Sequence, residues 1–197
     1  MNLKEIIKSD LFRYTGKTNF KNFIKAFLFI EGFHYSVILR ITNYLSKKKN
    51  ILFYIFFLWW KHDNRKYGIE IGYTTKIGYG FYIGHFGGIV INPHTIIGNN
   101  VNISQGVTIG TNNPNEFATI GDKVYIAPGV KIVGKVNIGA CSEIGANAVV
   151  TKDVSEKTCV AGVPAKIIKN LSEEPRYIQN IYSLEKIVYD NLMEHVK

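Results

Sequence analysis

The chain has 197 residues, 46% of them hydrophobic, two cysteines and a formal net charge of +9. This is material for one main domain with flanking elements, two folding units at most. Cys141 and Cys159 have neither metal nor redox spacing and read as small packing residues, and nothing at the N-terminus resembles a secretory signal, so a reducing cytoplasm is expected.

The charge is unevenly placed. Residues 1–66 hold thirteen Lys and Arg against four acids, whereas residues 67–197 hold eleven against eleven. A basic head on a neutral body is either a surface for anionic lipid, acidic polymer or nucleic acid, or a solvated helix face. Residues 3–14 predict a short amphipathic helix, and Gly16-Lys17-Thr18-Asn19 a turn. The apolar stretch from Phe20 to Leu45 predicts a long helix, which Ser46-Lys47-Lys48-Lys49-Asn50 breaks. Ile51 to Trp60 then gives ten unbroken apolar residues, closed by Lys61-His62-Asp63-Asn64-Arg65-Lys66. Ten residues cannot span a bilayer, which needs about twenty. This block either lies in a membrane interface or packs, under the body of the chain or against a neighbouring subunit.

From Ile71 to Val150 the chain repeats itself. Ile71, Ile77, Ile83, Ile97, Ile103, Ile109, Ile120, Ile126, Ile132, Ile138, Ile144 and Val150 are β-branched anchors, most of them six residues apart. The residue after the anchor is usually glycine, which predicts a turn of unusual backbone angle. Such rungs cannot bury their own side chains singly, but a stack buries a continuous column, so a β-solenoid is expected. The period breaks twice. Ile83 to Ile97 is fourteen residues, placing a two-residue bulge within residues 84–90, and Ile109 to Ile120 is eleven, projecting a loop of five extra residues within 111–117. After the solenoid, Pro175 opens a last predicted helix reaching about His195, with Ile178, Ile181, Leu184, Ile187, Val188 and Leu192 at helical spacing.

The hexad array, the bulge Gly84-His85-Phe86-Gly87-Gly88-Ile89-Val90, the rung Asn102 to Gly110 and the tail Ala161-Gly162-Val163-Pro164-Ala165-Lys166 together resemble the hexapeptide-repeat acyltransferases, in particular their serine acetyltransferase-like branch. The resemblance covers about Tyr67 to Lys169. It implies a mainly β fold: a left-handed parallel β-helix over residues 67–169, between a helical head (1–66) and a C-terminal helix (170–197). It also implies a homotrimer that uses acetyl-CoA bound between neighbouring solenoids. No metal and no nucleic-acid partner are expected.

O-acetylation needs a base for a weakly nucleophilic hydroxyl, and histidine is suited to it at neutral pH. His85 lies in the bulge and matches the family's catalytic histidine. The matching position of the family's orienting carboxylate is Glu70, about one coil before the bulge. The resemblance places the pantetheine near Gly110, Ala127 and Lys131, and the nucleotide near Gly162, Pro164, Ala165 and Lys166. Lys152, Lys169 and the remaining histidines, His34, His62, His94 and His195, are read as structural or solvated.

Three departures bear on the acceptor. Serine acetyltransferases have a second histidine just before the rung after the projecting loop, where this chain reads Glu116-Phe117-Ala118-Thr119. They have a longer helical N-terminal domain, and those binding the next enzyme of cysteine synthesis end in isoleucine, where this sequence reads His195-Val196-Lys197. These departures, with Phe86 and Phe117 as stacking surfaces for a sugar ring, rank a sugar O-acetyltransferase of capsule or lipopolysaccharide synthesis first. Serine O-acetyltransfer is the alternative. The expected location is the cytoplasm, with the head contacting the inner face of the membrane.

Overall fold

The computed structural model describes residues 1–111, 113–172, 175–183 and 185. Four helices form the head: α1 (Leu3–Thr15), α2 (Phe20–Phe29), α3 (Glu31–Ser46) and α4 (Ile51–Tyr67). Each start except that of α3 has an asparagine cap. Asn2, Asn19 and Asn50 accept from the backbone N–H three residues on, and Glu5 completes a capping box with Asn2. Gly16 and Gly68 end α1 and α4 in left-handed conformation.

The predicted helix over 20–45 is two helices, broken at Ile30, whose φ of −124° and ψ of 101° are extended. The break lets α3 lie against the solenoid so closely that a Cβ on Gly32 would collide with the carbonyl oxygen of Ile83. α3 is the centre of the head: Phe33, Tyr35, Val37, Ile38 and Leu39 are buried. No helix among the described residues is long and apolar enough to cross a membrane.

The solenoid has three parallel faces. The first runs β1 (Ile69–Ile71), β4 (Ile89–Ile91), β7 (Thr108–Gly110), β10 (Lys131–Val133) and β13 (Val149–Val150). The second runs β2 (Lys76–Ile77), β5 (Ile96–Ile97), β8 (Thr119–Ile120) and β11 (Asn137–Ile138). The third runs β3 (Tyr82–Ile83), β6 (Asn102–Ile103), β9 (Tyr125–Ile126), β12 (Glu143–Ile144) and β14 (Thr158–Ala161), and β15 (Lys166–Asn170) closes it antiparallel. The predicted anchors form the core column. All are buried except Ile77, which is half-buried. Both breaks appear in the register, since Ile71 pairs with Ile91 and Ile97 with Ile120, where an eighteen-residue coil such as Lys131 to Val149 would give residues 89 and 115.

The glycines after the anchors serve a purpose other than the one expected. Among the described residues none of Gly72, Gly78, Gly98, Gly121 or Gly139 has positive φ. They are small because successive coils touch backbone to backbone there: a Cβ on Gly98 would lie 2.7 Å from the carbonyl carbon of Gly121, and one on Gly121 would lie 2.7 Å from the nitrogen of Ala140. The left-handed turn residues come two positions later, in the stacked series Gly80, Asn100, Lys123 and Cys141.

Polar side chains fasten the head to the first coils. Arg40 of α3 holds buried Asp10 of α1 through Nε (3.0 Å) and Nη2 (3.2 Å), and donates to the carbonyls of Ile77 (2.7 Å) and Gly78 (2.6 Å). Asp10 and Ser9 in turn accept from the backbone N–H groups of Phe81 (2.8 Å) and Gly80 (2.9 Å). Arg13 donates to the Gly80 carbonyl (2.8 Å) and to Gln179 O (3.0 Å).

Gln179 lies where the fold departs from expectation. Residues 175–183, expected as the start of a C-terminal helix, form a non-helical strap along the third face. Asn100 donates to Tyr182 O and accepts from Tyr182 N, Asn102 donates to Tyr177 O, and Ile178 and Tyr182 are buried. Side-chain amides thus satisfy backbone groups that a helix would have paired internally. Residues 186–197, with His195, lie outside the described residues.

Candidate active site

The bulge between β3 and β4 owes its shape to its glycines. Gly87 (φ 103°) and Gly88 (φ 66°) take left-handed conformations, so the two extra residues fit without breaking the ladder. The segment is pinned on both sides, Gly84 N to Ile103 O (2.8 Å) and Gly106 N to Gly87 O (2.8 Å). His85 and Phe86 are therefore carried outward on a fixed backbone, and both are exposed. Phe86 meets Tyr67, the last residue of α4, edge to face at 5.5 Å.

Glu70 is the middle residue of β1, pointing out while Ile69 and Ile71 point in. It pairs across to Val90, five residues beyond His85, and lines a cavity of about 520 Å³ with Trp60, Lys61, Asn64 and Arg65 of α4. Gly68, two residues before Glu70, touches the bulge: its Cβ would lie 3.4 Å from Gly88 N. The two candidates thus occupy the same corner of the first two coils, but no hydrogen bond or ion pair joins His85 to Glu70 among the described residues.

The remaining candidates are spread over the first face, the third face and the connections between them. Gly110 ends β7, and an added Cβ there would meet nothing within 4 Å, so its backbone is open to a ligand. Ala127 is buried and directly follows β9 of the third face. Lys131 lies on β10, but its ammonium is already used, donating to Gly106 O (2.6 Å) and Thr108 Oγ1 (3.0 Å) within its own solenoid. Gly162, Pro164 and Ala165 form the turn between β14 and β15, with Lys166 opening β15; that turn is tied to β13 by Val149 N to Gly162 O (3.0 Å) and Ala165 N to Val149 O (2.8 Å). Lys166 is exposed. Glu70, Gly110 and Lys131 therefore lie on the five-strand face, His85 and Ala127 in the connections that enter it from the third face, the Gly162 to Ala165 turn beside β13, and Lys166 on the third face. An open glycine backbone along the rungs and an exposed lysine at the last turn suit an extended pantetheine with a phosphate-bearing end.

Phe117 lies elsewhere. It packs on His94 at 4.6 Å, and no ring contact joins it to Phe86 among the described residues. No histidine stands at its position, as the sequence indicates.

A pair that sequence reasoning passed over sits behind Phe86. His34 Nε2 lies 3.2 Å from buried Asp63 Oδ2, and His34 Nδ1 lies 3.1 Å from Phe27 O. Asp63 pulls the imidazole pKa upward against the opposing effect of burial. His34 and Phe86 line a common cavity of about 310 Å³ with Lys66 and Tyr67. Histidine and aspartate on different helices, twenty-nine residues apart, leave no spacing signal in the sequence.

Comparison with known proteins fits this geometry. Residues 117–152 match the family model "Bacterial transferase hexapeptide (six repeats)". A serine acetyltransferase of Bacillus licheniformis is 33% identical over 88% of this chain and 81% of its own length. The chain belongs to the serine acetyltransferase family. Another serine acetyltransferase, from Buchnera aphidicola, is 31% identical over 88% of the chain, which spans 64% of that protein. Among solved structures, serine acetyltransferase from Brucella abortus in complex with coenzyme A superposes with a TM-score of 0.72, at 28% identity, covering 86% of this chain and 67% of the other. These serine acetyltransferases carry the name of the alternative acceptor reading, so the expected ranking of a sugar acceptor above serine is reversed.

Proposed function

We propose that this chain transfers the acetyl group of acetyl-CoA to a hydroxyl acceptor, with L-serine the first candidate. The observation that supports the reading is a shared corner: His85 in its pinned bulge lies where the third face passes into the first, Glu70 sits on β1 beside that bulge, and Gly110 and Lys131 of the first face and the Gly162 to Ala165 turn tied to β13 follow on later coils. His85 takes the proton of the hydroxyl as its oxygen attacks the thioester carbonyl carbon. The same imidazolium then returns a proton to the departing thiolate, so the C–O bond forms and the C–S bond breaks with protons balanced. Serine is favoured by the names of the relatives.

A homotrimer in the cytoplasm accompanies this proposal. Val90 (41% exposed) and Val133 (38%) lie uncovered on the candidate face, and copies of the solenoid packed there would cover them.

A sugar hydroxyl is the second reading. It is supported by Phe117 packed on His94, where the resemblance calls for a histidine. Thiol release from acetyl-CoA, measured against L-serine and a panel of glycans, tests the two. Saturable turnover on serine is the expected result, and turnover confined to a glycan would install the second reading. No thiol release with any acceptor, from protein that binds acetyl-CoA, would remove both.

Glu70 is proposed as the residue that positions His85. Glu70→Gln keeps the shape and removes the charge that would stabilise the imidazolium, so kcat is expected to fall while acetyl-CoA affinity stays near normal. An unchanged kcat would make Glu70 a surface carboxylate.

A further inference from the structure

Helices α2 and α4 each leave an apolar stripe uncovered. On α4, Ile51 is 73% exposed, Tyr54 54%, Ile55 52% and Leu58 67%; on α2, Phe20 is 77% exposed, Ile24 40% and Leu28 65%. The helices touch through Phe27 and Trp59, ring centroids 6.4 Å apart, so the stripes sit on neighbouring elements. Their other faces are already used, with Phe53, Trp60 and Tyr67 of α4 and Ala26 of α2 buried. Exposed apolar side chains in such a group mark an interaction surface.

The charge around the stripes selects what covers them. Of the thirteen Lys and Arg in residues 1–66, Arg13 and Arg40 are buried, as are Asp10 and Asp63 among the four acids. Within residues 1–66, eleven cations then stand against two acids outside the core, Glu5 and Glu31. Lys21 and Lys25 border the α2 stripe, and Lys47, Lys48 and Lys49 immediately precede the α4 stripe, all of them exposed. A second copy meeting this face through a two-fold axis would set like charge against like. A nucleic acid would meet apolar side chains where phosphate contacts are needed. An anionic lipid surface complements both features, with lysines over the headgroups and apolar side chains at the acyl boundary.

We propose that the α2–α4 face docks this protein peripherally on anionic membranes. The test uses the full chain with phosphatidylcholine vesicles, with and without phosphatidylglycerol. The protein is expected to co-sediment with the anionic vesicles alone and to be released by salt. Two variants, Lys47→Gln/Lys48→Gln/Lys49→Gln and Ile55→Ser/Leu58→Ser, should each weaken binding by about tenfold or more. Both alter exposed side chains and should melt as the parent does. The unaltered chain gives an independent readout, since of its two tryptophans Trp59 is 38% exposed and Trp60 8%. Anionic vesicles should shift the emission to the blue, and Trp59→Phe should remove that shift. Absence of binding at low salt would overturn the proposal, as would binding unaffected by Ile55→Ser/Leu58→Ser. A lipid-free self-association dispersed by that same variant would assign the face to a second copy and overturn it too.

Discussion

Replacing His85 by alanine is expected to lower kcat by about 10²- to 10⁴-fold, the range for removing a general base. The fold should hardly notice. The side chain is exposed and makes no hydrogen bond among the described residues, while the bulge is fixed by backbone bonds of Gly84 and Gly87. Unfolding should therefore change by no more than about 0.5 kcal/mol. Acetyl-CoA binding, measured by calorimetry, should also persist, because the proposed track begins one coil away at Gly110. Activity near that of the parent at neutral pH would remove His85 from the mechanism. Loss of activity together with loss of acetyl-CoA binding would instead make the bulge a binding element.

Arg40→Met should have the largest effect on stability, about 3–5 kcal/mol in denaturant unfolding. Arg40 gives two hydrogen bonds to Asp10 and one each to Ile77 O and Gly78 O. Without it, a carboxylate shut away from water loses its counter-charge and two carbonyls lose their donor. Burial already pushes the Asp10 carboxyl pKa upward, with Arg40 pulling it down, so the variant should raise it further. The double variant Asp10→Asn/Arg40→Met should be less destabilised than the sum of its singles, because the unpaired charge is gone. A loss below about 1 kcal/mol for Arg40→Met would show that the head is held on by its apolar contacts alone.

Features with a short period could be read from the sequence. The isoleucine column from Ile71 to Val150 is visible because each rung repeats the last, and the bulge at His85 because it disturbs that count. The glycines showed where the chain turns, but not why they are small: Gly98 and Gly121 are required by the neighbouring coil's backbone, a contact between residues twenty-three apart. The break at Ile30 had no local signal either; it accompanies the close fit of Gly32 against Ile83, fifty-one residues on. Ser9, Asp10 and Arg13 lie in a weakly amphipathic helix, where polar residues read as a solvated side. Ile178 and Tyr182 are four apart, a spacing that suits a helix as well as the strap, and only Asn100 and Asn102 decide between them. For the site, sequence placed His85 and Glu70 one coil apart, and the structure sets them at one corner without a bond between them.

Arg13 reaches Gly80, sixty-seven residues on, and Gln179, a hundred and sixty-six residues on. On a ribosome adding about 5–20 residues per second, α1 emerges roughly ten to thirty seconds before the last acceptor for that guanidinium exists. A helix made early is thus among the last to be fully secured, and through that interval it lacks the strap that finally covers it. A released chain truncated before the strap should be open to proteases at α1, while one that includes residues 175–183 should resist them.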